Sequence, residues 1–338
     1  MKTADFDFTL PEELIAQTPQ LERDQSRLLV LDKSTGETKD RKFYDIFELL
    51  NPGDLLILNN TKVMPANLIG FKEEGGGKVE ILFVRNLEGN NWLSLMKPAK
   101  RVKVGSIIKF KESDLTAEVI EKLESGETVV RFSEDVRHYA ELHGEIPLPP
   151  YIKSSKEEYK DRYQTVYAQK YGASAAPTAG LHFTDDLLAK LKAKGVLVEY
   201  LTLHTGLGTF KPVYAENIKD HKMHSEEFEI SAELLAKTRE AKRVVAVGTT
   251  TLRVLETIAS RNLLDSKEEI SGETDIFIYP GFQFKVVDAL ITNFHTPKST
   301  LLMLVSAFAG KDNIFNAYKY AINEKYRFFS FGDAMFIG

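Results

Sequence analysis

The chain has 338 residues, 43% of them apolar and 28% charged. That is enough for two folded domains of about 100–200 residues each and excludes a disordered chain. With 44 basic and 49 acidic side chains the net charge is −5, so any hold on nucleic acid must come from a local patch. Cysteine is absent, which excludes disulfides, thiol catalysis and cysteine-ligated zinc. The longest apolar run, 301–309, is too short to span a bilayer. Residues 1–10 carry Asp5 and Asp7 and no apolar segment of signal-peptide type. A cytoplasmic setting is expected.

Along the chain, three textures follow one another. In 1–60, proline and acids at 11–16 announce a short helix start. Arg27–Asp32 and Leu55–Leu58 read as apolar strands, each beside a turn sequence. In 61–150, alternating runs recur at 78–85, 92–96, 106–110, 115–123 and 128–132, separated by glycine- and asparagine-rich turns. Several short strands at that spacing predict an antiparallel barrel. The proline cluster at 147–150 closes this zone. In 151–338 strands and helices alternate. Thr184 caps a predicted helix ended by Gly195, and 196–203 is a strand. Arg243–Val247 is a strand followed by a helix over 250–260. Strands are predicted at 275–279 and 286–291, and a buried helix at 299–309. The alternation predicts a mixed-sheet α/β domain, made of 1–60 and 151–338, with the antiparallel β-barrel domain of 61–150 inserted in it.

Polar and glycine-rich clusters fall at three strand-to-helix junctions, 176–183, 248–250 and 292–299. Ligands of open α/β sheets bind outside the carboxyl ends of strands, so the three point to one cleft. Gly248, Thr249 and Thr250 open a helix whose free N–H groups suit an anion, or form a turn with a threonine cap. Arg253, one turn on, suits two-point contact with a carboxylate. The segment His204 to Phe210 has two glycines but not the dinucleotide fingerprint. His182, His204, His221, His224 and His295 supply groups that titrate near neutrality. With Glu226, the pair His221 and His224 admits a metal reading, although the spacing is not that of a zinc helix motif. Arg23, Asp24 and Arg27 are a dense charged group, either phosphate ligands or a solvated surface. The run 153–171 interleaves basic residues with tyrosines, as an RNA-stacking surface does and as a solvated amphipathic helix also does.

Taken together, the segments 5–17, 23–28, 59–61, 148–152, 176–183, 204–210, 221–226, 248–253, 274–281, 292–307 and 326–335 resemble the S-adenosylmethionine:tRNA ribosyltransferase-isomerase family of queuosine biosynthesis. Lys62 and Asn67 depart from that pattern, where arginines are common. The resemblance implies an α/β domain with an inserted barrel. It also implies transfer and isomerisation of the ribosyl group of S-adenosylmethionine onto 7-aminomethyl-7-deazaguanine at the wobble position of tRNA. The products are epoxyqueuosine tRNA, adenine and methionine. S-adenosylmethionine is then a consumed substrate, with no resident cofactor and no metal, and the chain is expected to be a monomer.

On this basis His182, His204, Asp275 and His295 are expected to serve catalysis. S-adenosylmethionine is expected to meet Thr178, Gly180, Phe183, Gly206, Gly208, Thr209, Phe210, Gly248, Thr249, Thr250, Arg253 and Asn293. Phe183 or Phe210 would stack on adenine, while Thr249, Thr250 and Arg253 would hold the methionine carboxylate. Arg23, Asp24, Arg27, Asn60, Lys62, His221, His224, Glu226, Lys298 and Arg327 are expected at the tRNA or its deazaguanine. A histidine-metal hydrolase and a non-catalytic tRNA-binding barrel are the competing readings.

Overall fold

A computed structural model describes residues 1–124, 126–149, 151–153, 158–206 and 213–338. The chain divides into two compact units. One is built from Met1–Thr61, Pro149–Lys170 and Ala176–Gly338, the other from Lys62–Leu148 and Tyr171–Ala175. The mixed α/β sheet and the antiparallel barrel expected from the sequence are both present.

Strands are numbered along the whole chain. The first unit contains β1 (Arg27–Leu31), β2 (Thr38–Lys42), β3 (Leu55–Asn59), β12 (Leu197–Leu203), β13 (Glu226–Ile230), β14 (Val244–Val247), β15 (Ile270–Thr274), β16 (Ala289–Asn293) and β17 (Ala334–Ile337). They form one nine-stranded sheet in the order β15-β13-β12-β3-β14-β16-β17-β1-β2. The adjacent strands β12, β3, β14 and β16 are parallel. In β3 and β14 the residues are nearly all apolar and buried on both faces, because both faces are covered. In β3, Leu55 and Ile57 enter one core with Leu252, Leu255 and Ile258 of α6 (Gly248–Ser260) and Val305 of α7 (Thr300–Ala309). Leu56 and Leu58 enter the other with Leu187, Leu188 and Leu191 of α4 (Asp185–Lys194). Thr184 caps α4 by accepting from Leu187 N–H at 3.1 Å, and Gly195 ends it at φ +96°. Helices α1 (Ile46–Leu49), α3 (Glu158–Arg162), α5 (Ala232–Glu240) and α8 (Lys311–Asn323) complete this unit.

Two predicted strands fall elsewhere. Residues 275–279 leave the sheet just after β15, since the Ile276 carbonyl accepts from Arg253 Nε at 3.3 Å instead of from a neighbouring strand. The strand predicted at 286–291 begins at Ala289. The N–H groups of Lys285, Val286 and Val287 go to the buried carboxylate of Glu256, at 2.9, 3.1 and 3.0 Å. That carboxylate replaces the ladder for those residues.

In the second unit β5 (Asn67–Lys72), β6 (Lys78–Glu88), β7 (Asn91–Lys97), β8 (Ile107–Phe110), β9 (Thr116–Lys122) and β10 (Thr128–Phe132) close a barrel in the order β10-β7-β6-β5-β8-β9. Helix α2 (Val136–His143) belongs to the same unit. Alternation along β6 and β7 puts Val79, Ile81, Phe83 and Trp92 inside. Phe83 meets Phe132 edge-on at 5.3 Å and Trp92 at 5.3 Å. The segment Tyr171–Ala175 returns to this unit from beyond the proline cluster, which the single cut at 150 did not foresee. Strand β11 (Lys170–Ala173) pairs with β4 (Thr61–Val63), and Ser174 Oγ donates to the Phe83 carbonyl at 3.3 Å.

Candidate active site

The carboxyl ends of the four parallel strands deliver Asn59, His204, Gly248 and Asn293 to one edge of the sheet. This is the edge at which ligands of such sheets bind. Since β17 runs antiparallel to β16 and parallel to β1, the same edge receives the starts of those two strands, with Asp333 and Ser26. Asp333 accepts from the Arg27 and Arg327 N–H groups at 2.9 and 2.8 Å, and its burial raises its pKa.

His182 sits here with 5% of its surface exposed. Its ring stacks on Phe43 at 4.9 Å, and Nδ1 lies 2.8 Å from Ser26 Oγ. The Ser26 hydroxyl is directed to the Arg23 carbonyl at 3.5 Å. With Nδ1–H donating to the Ser26 oxygen the lone pair lies on Nε2; with the Ser26 hydroxyl donating to Nδ1 instead, Nε2–H faces the Asn293 side chain. Burial pushes the pKa down to about 4, with Arg23 and Arg327 adding to the effect, while the Asn293 amide favours the charged form. His182 Nε2 and Asn293 Oδ1 are both buried and have no well-formed hydrogen bond. In the first tautomer two acceptors face each other without a proton between them, an arrangement that a substrate O–H or N–H, or protonation of the ring, would satisfy. Asn293 Nδ2 donates to the Phe329 carbonyl at 3.0 Å, which fixes the amide this way round.

His204 is half-buried, its Nδ1 2.8 Å from Thr61 Oγ1. Burial lowers its pKa against the opposing charges of Glu227 and Glu229. Asn59 fastens this corner: Oδ1 accepts from Leu203 N–H and Thr61 N–H at 3.0 and 3.1 Å, and Nδ2 donates to the Leu203 carbonyl at 3.0 Å. Asn60 is also buried, accepting from Thr202 Oγ1 at 2.7 Å. The threonine-cap reading of 248–250 is not met. Helix α6 starts at Gly248, φ +87°, with no side chain capping its N–H groups. Thr250 Oγ1 is 3.4 Å from Asn59 Nδ2, and Thr249 is buried.

Arg253 and Glu226 were expected at different substrates, yet the structure joins them. They form a buried ion pair, with Glu226 Oε1 accepting from Gly206 N–H at 3.1 Å. The Arg253 guanidinium is taken up by the protein itself, Nη1 by Glu226 and Nε and Nη2 by the Ile276 and Thr274 carbonyls at 3.3 and 3.5 Å. Glu226 is likewise turned away from His221 and His224, and among the described residues no three His, Asp or Glu side chains gather as metal ligands. His221 packs edge-on against Phe277 at 5.4 Å, and His224 is exposed.

The other expected residues are spread more widely. His295 is buried, Nε2 2.9 Å from Thr292 Oγ1, and burial lowers its pKa to about 3. Asp275 is exposed. Phe183 is fully buried and edge-on to Phe43 at 5.0 Å, so it offers no free face for adenine in this conformation. Gly180 is required by packing: a Cβ there would lie 1.9 Å from the Tyr167 hydroxyl. Thr178 is half-buried on the same turn. Arg27 covers the Tyr326 ring at 3.6 Å and pairs with Asp40 at 3.0 Å. Asp24 acts on the Lys190 ammonium, and Lys298 pairs with Asp7 at 2.7 Å. Lys62, in the other unit, lies 4.4 Å over the Tyr171 ring, and Asn67 exchanges backbone hydrogen bonds with Glu145. Gly208, Thr209 and Phe210 lie outside the described residues. Ser26, which contacts the His182 ring, and Asn59, which fastens the backbone beside His204, were not singled out for those roles; their neighbours in sequence gave no sign of them.

A mixed sheet whose four parallel strands end at a buried neutral histidine, unpaired polar atoms and an uncapped helix start defines an α/β enzyme site. The chain belongs to the queuosine biosynthesis protein family, whose pattern matches residues 3–337. It is 56% identical, over the full length of both chains, to proteins named S-adenosylmethionine:tRNA ribosyltransferase-isomerase from two strains of Staphylococcus epidermidis. It also resembles the crystal structure of S-adenosylmethionine tRNA ribosyltransferase from Thermotoga maritima, at 42% identity and a TM-score of 0.57, over 99% of this chain and all of that one. The family expected from the sequence is borne out, and with it the enzyme class.

Proposed function

We propose that this chain transfers and isomerises the ribosyl group of S-adenosylmethionine onto 7-aminomethyl-7-deazaguanine in the wobble position of tRNA, releasing adenine and methionine. Family membership supports the reaction class. At residue level the reading is carried by the unpartnered Nε2 of His182.

The chemistry needs a base for the ribose C5′ proton, which the adjacent sulfonium acidifies. Neutral His182 is such a base at pH 7: in the tautomer whose Nδ1–H donates to Ser26 the Nε2 lone pair is exposed, and Asn293 Oδ1 accepts from Nε2–H once the proton has arrived. His204, oriented by Thr61, is the second proton-transfer group and serves the departing adenine. With Arg253 occupied by Glu226, the methionine carboxylate falls to the free N–H groups at the start of α6. S-adenosylmethionine enters as a consumed substrate, with no resident cofactor or metal. The tRNA partner, a monomeric chain and a cytoplasmic setting belong to the same proposal. Among the described residues no helix is long and apolar enough to cross a membrane.

The test mixes the purified chain, S-adenosylmethionine and tRNA bearing the aminomethyl-deazaguanine base. Adenine is followed by chromatography and the nucleoside by mass. Adenine released one-to-one with epoxyqueuosine supports the proposal. Methyl transfer, or tRNA binding without turnover, would sink it.

A further inference from the structure

Beside His182 lies a small cavity of about 20 Å³, open on one side and lined by Arg23, Ser26, Arg162, His182 and Ser330 among others. A space of that size admits a water molecule or, through the open side, one oxygen of an oxyanion whose remainder stays outside. Its cations are unusual in their partners. The Arg23 guanidinium donates to the Leu181 carbonyl at 3.0 Å. Arg162 donates to the Leu21 and Gln20 carbonyls at 2.8 and 2.7 Å, and its Nε is buried with no partner. Neither forms an ion pair with a carboxylate among the described residues, and no carboxylate lines the cavity. Arg327 adds a third positive charge close enough to act on His182, its own guanidinium donating to the Thr18 carbonyl. Carbonyl partners orient a guanidinium without neutralising it, so the charge stays available to an anion.

We propose that this cavity is a docking notch for one backbone phosphate of an RNA, held by the Arg23 and Arg162 forks. This rests on the tRNA reading above and deepens it. A phosphate suits the notch better than an amino-acid carboxylate. The latter brings an ammonium group on the adjacent carbon, which would enter among guanidinium groups with no carboxylate in the cavity wall to receive it, Asp185 acting on Arg23 from outside the lining. A phosphodiester carries no such cation, and two arginine forks match its free oxygens. Placing the phosphate beside His182 ties the register of the RNA to the group that takes the proton.

The experiment measures binding of a short, unmodified RNA hairpin to the full chain by fluorescence anisotropy over a range of salt concentrations. Each phosphate contact contributes roughly 0.7–0.9 to the slope of log affinity against log salt. Arg162→Gln and, separately, Arg23→Gln are expected to make the slope shallower by nearly one such contact. Arg162→Lys, which keeps the charge, should restore most of it. Inorganic phosphate should raise the melting temperature of the unaltered chain more than that of Arg162→Gln. An unchanged slope in folded Arg162→Gln and Arg23→Gln overturns the notch while leaving the tRNA reading intact. Weakened S-adenosylmethionine binding with RNA binding unaltered also overturns it and gives the cavity to a carboxylate. Failure of the unaltered chain to bind RNA overturns both.

Discussion

The two units treat buried polarity in opposite ways. The barrel interior is filled by Val79, Ile81, Phe83, Trp92, Phe110 and Phe132, and none of its described side chains leaves a buried polar atom without a partner. All eight such atoms belong to the α/β unit, on Arg162, Tyr163, Thr165, Tyr167, His182, Thr205, Asn293 and Ser306. Each unpaired group costs about 1–3 kcal/mol, so a fold tolerates them together only where something else gains. One unit is a packed scaffold, and the other carries unsatisfied groups, of which those on His182 and Asn293 stand at the carboxyl edge of its parallel strands, where substrates bind.

The comparison is sharpest at His182. His182→Ala should lower the rate of adenine release by about 10²–10⁴-fold with S-adenosylmethionine affinity largely kept, as read by single-turnover kinetics and calorimetry. An unchanged rate would remove this histidine from the mechanism. In the barrel, Phe83→Ala should act on stability, costing about 3–5 kcal/mol in denaturant unfolding. A cost below about 1 kcal/mol would mean the barrel core is not close-packed.

Acid should separate the units next. The folded pKa of His182, about 4, lies below its ordinary 6.5, so as pH falls the unfolded chain takes up a proton first. The stability linked to neutral His182 is whole above pH 6.5, declines as pH falls toward 4 and is fully lost below that. The loss amounts to roughly 3 kcal/mol, and His295 acts in the same direction. His182→Asn should flatten the decline, measured by urea unfolding at pH 7 and pH 4.5; an equally steep decline would refute the assignment. The smallest effect is expected at Thr184→Ala, about 1 kcal/mol, because only the Leu187 N–H loses its partner.

Much of the scaffold was legible because alternation and turn residues are local signals. The barrel strands at 78–85, 92–96 and 128–132 lie inside β6, β7 and β10, since hydrophobic alternation and pleat have the same period. The strand at 286–291 misled, because its valines serve the Glu256 carboxylate, an interaction made across about 30 residues. The site divides in the same way. Histidines at strand-to-helix junctions stand out in any sequence, and His182 did. The closure of Arg253 by Glu226 and the orientation of His182 by Ser26 are tertiary facts with no local signature. Arg162 was hidden in a run with tyrosines four apart that read as a solvated helix or a stacking surface. In the structure α3 ends at Arg162, and Tyr163 and Tyr167 are buried.

The pairing of β1 with β17 bears on how the chain is made. Leu28 faces Ala334 and Leu31 faces Ile337, so a strand translated near the start waits for one about 300 residues later. At about 5–20 residues per second, that delay is on the order of 15–60 s. Until β17 emerges, β1 and β2 have no link to the rest of the sheet, and the edge of β16 stands open. An open, apolar strand edge is a template for pairing with other chains. A nascent chain of this protein therefore keeps β1 and β2 waiting for the whole interval but the edge of β16, which ends at Asn293, open only for about 2–8 s before Ala334 is made, and a truncation that removes β17 would leave that edge open permanently.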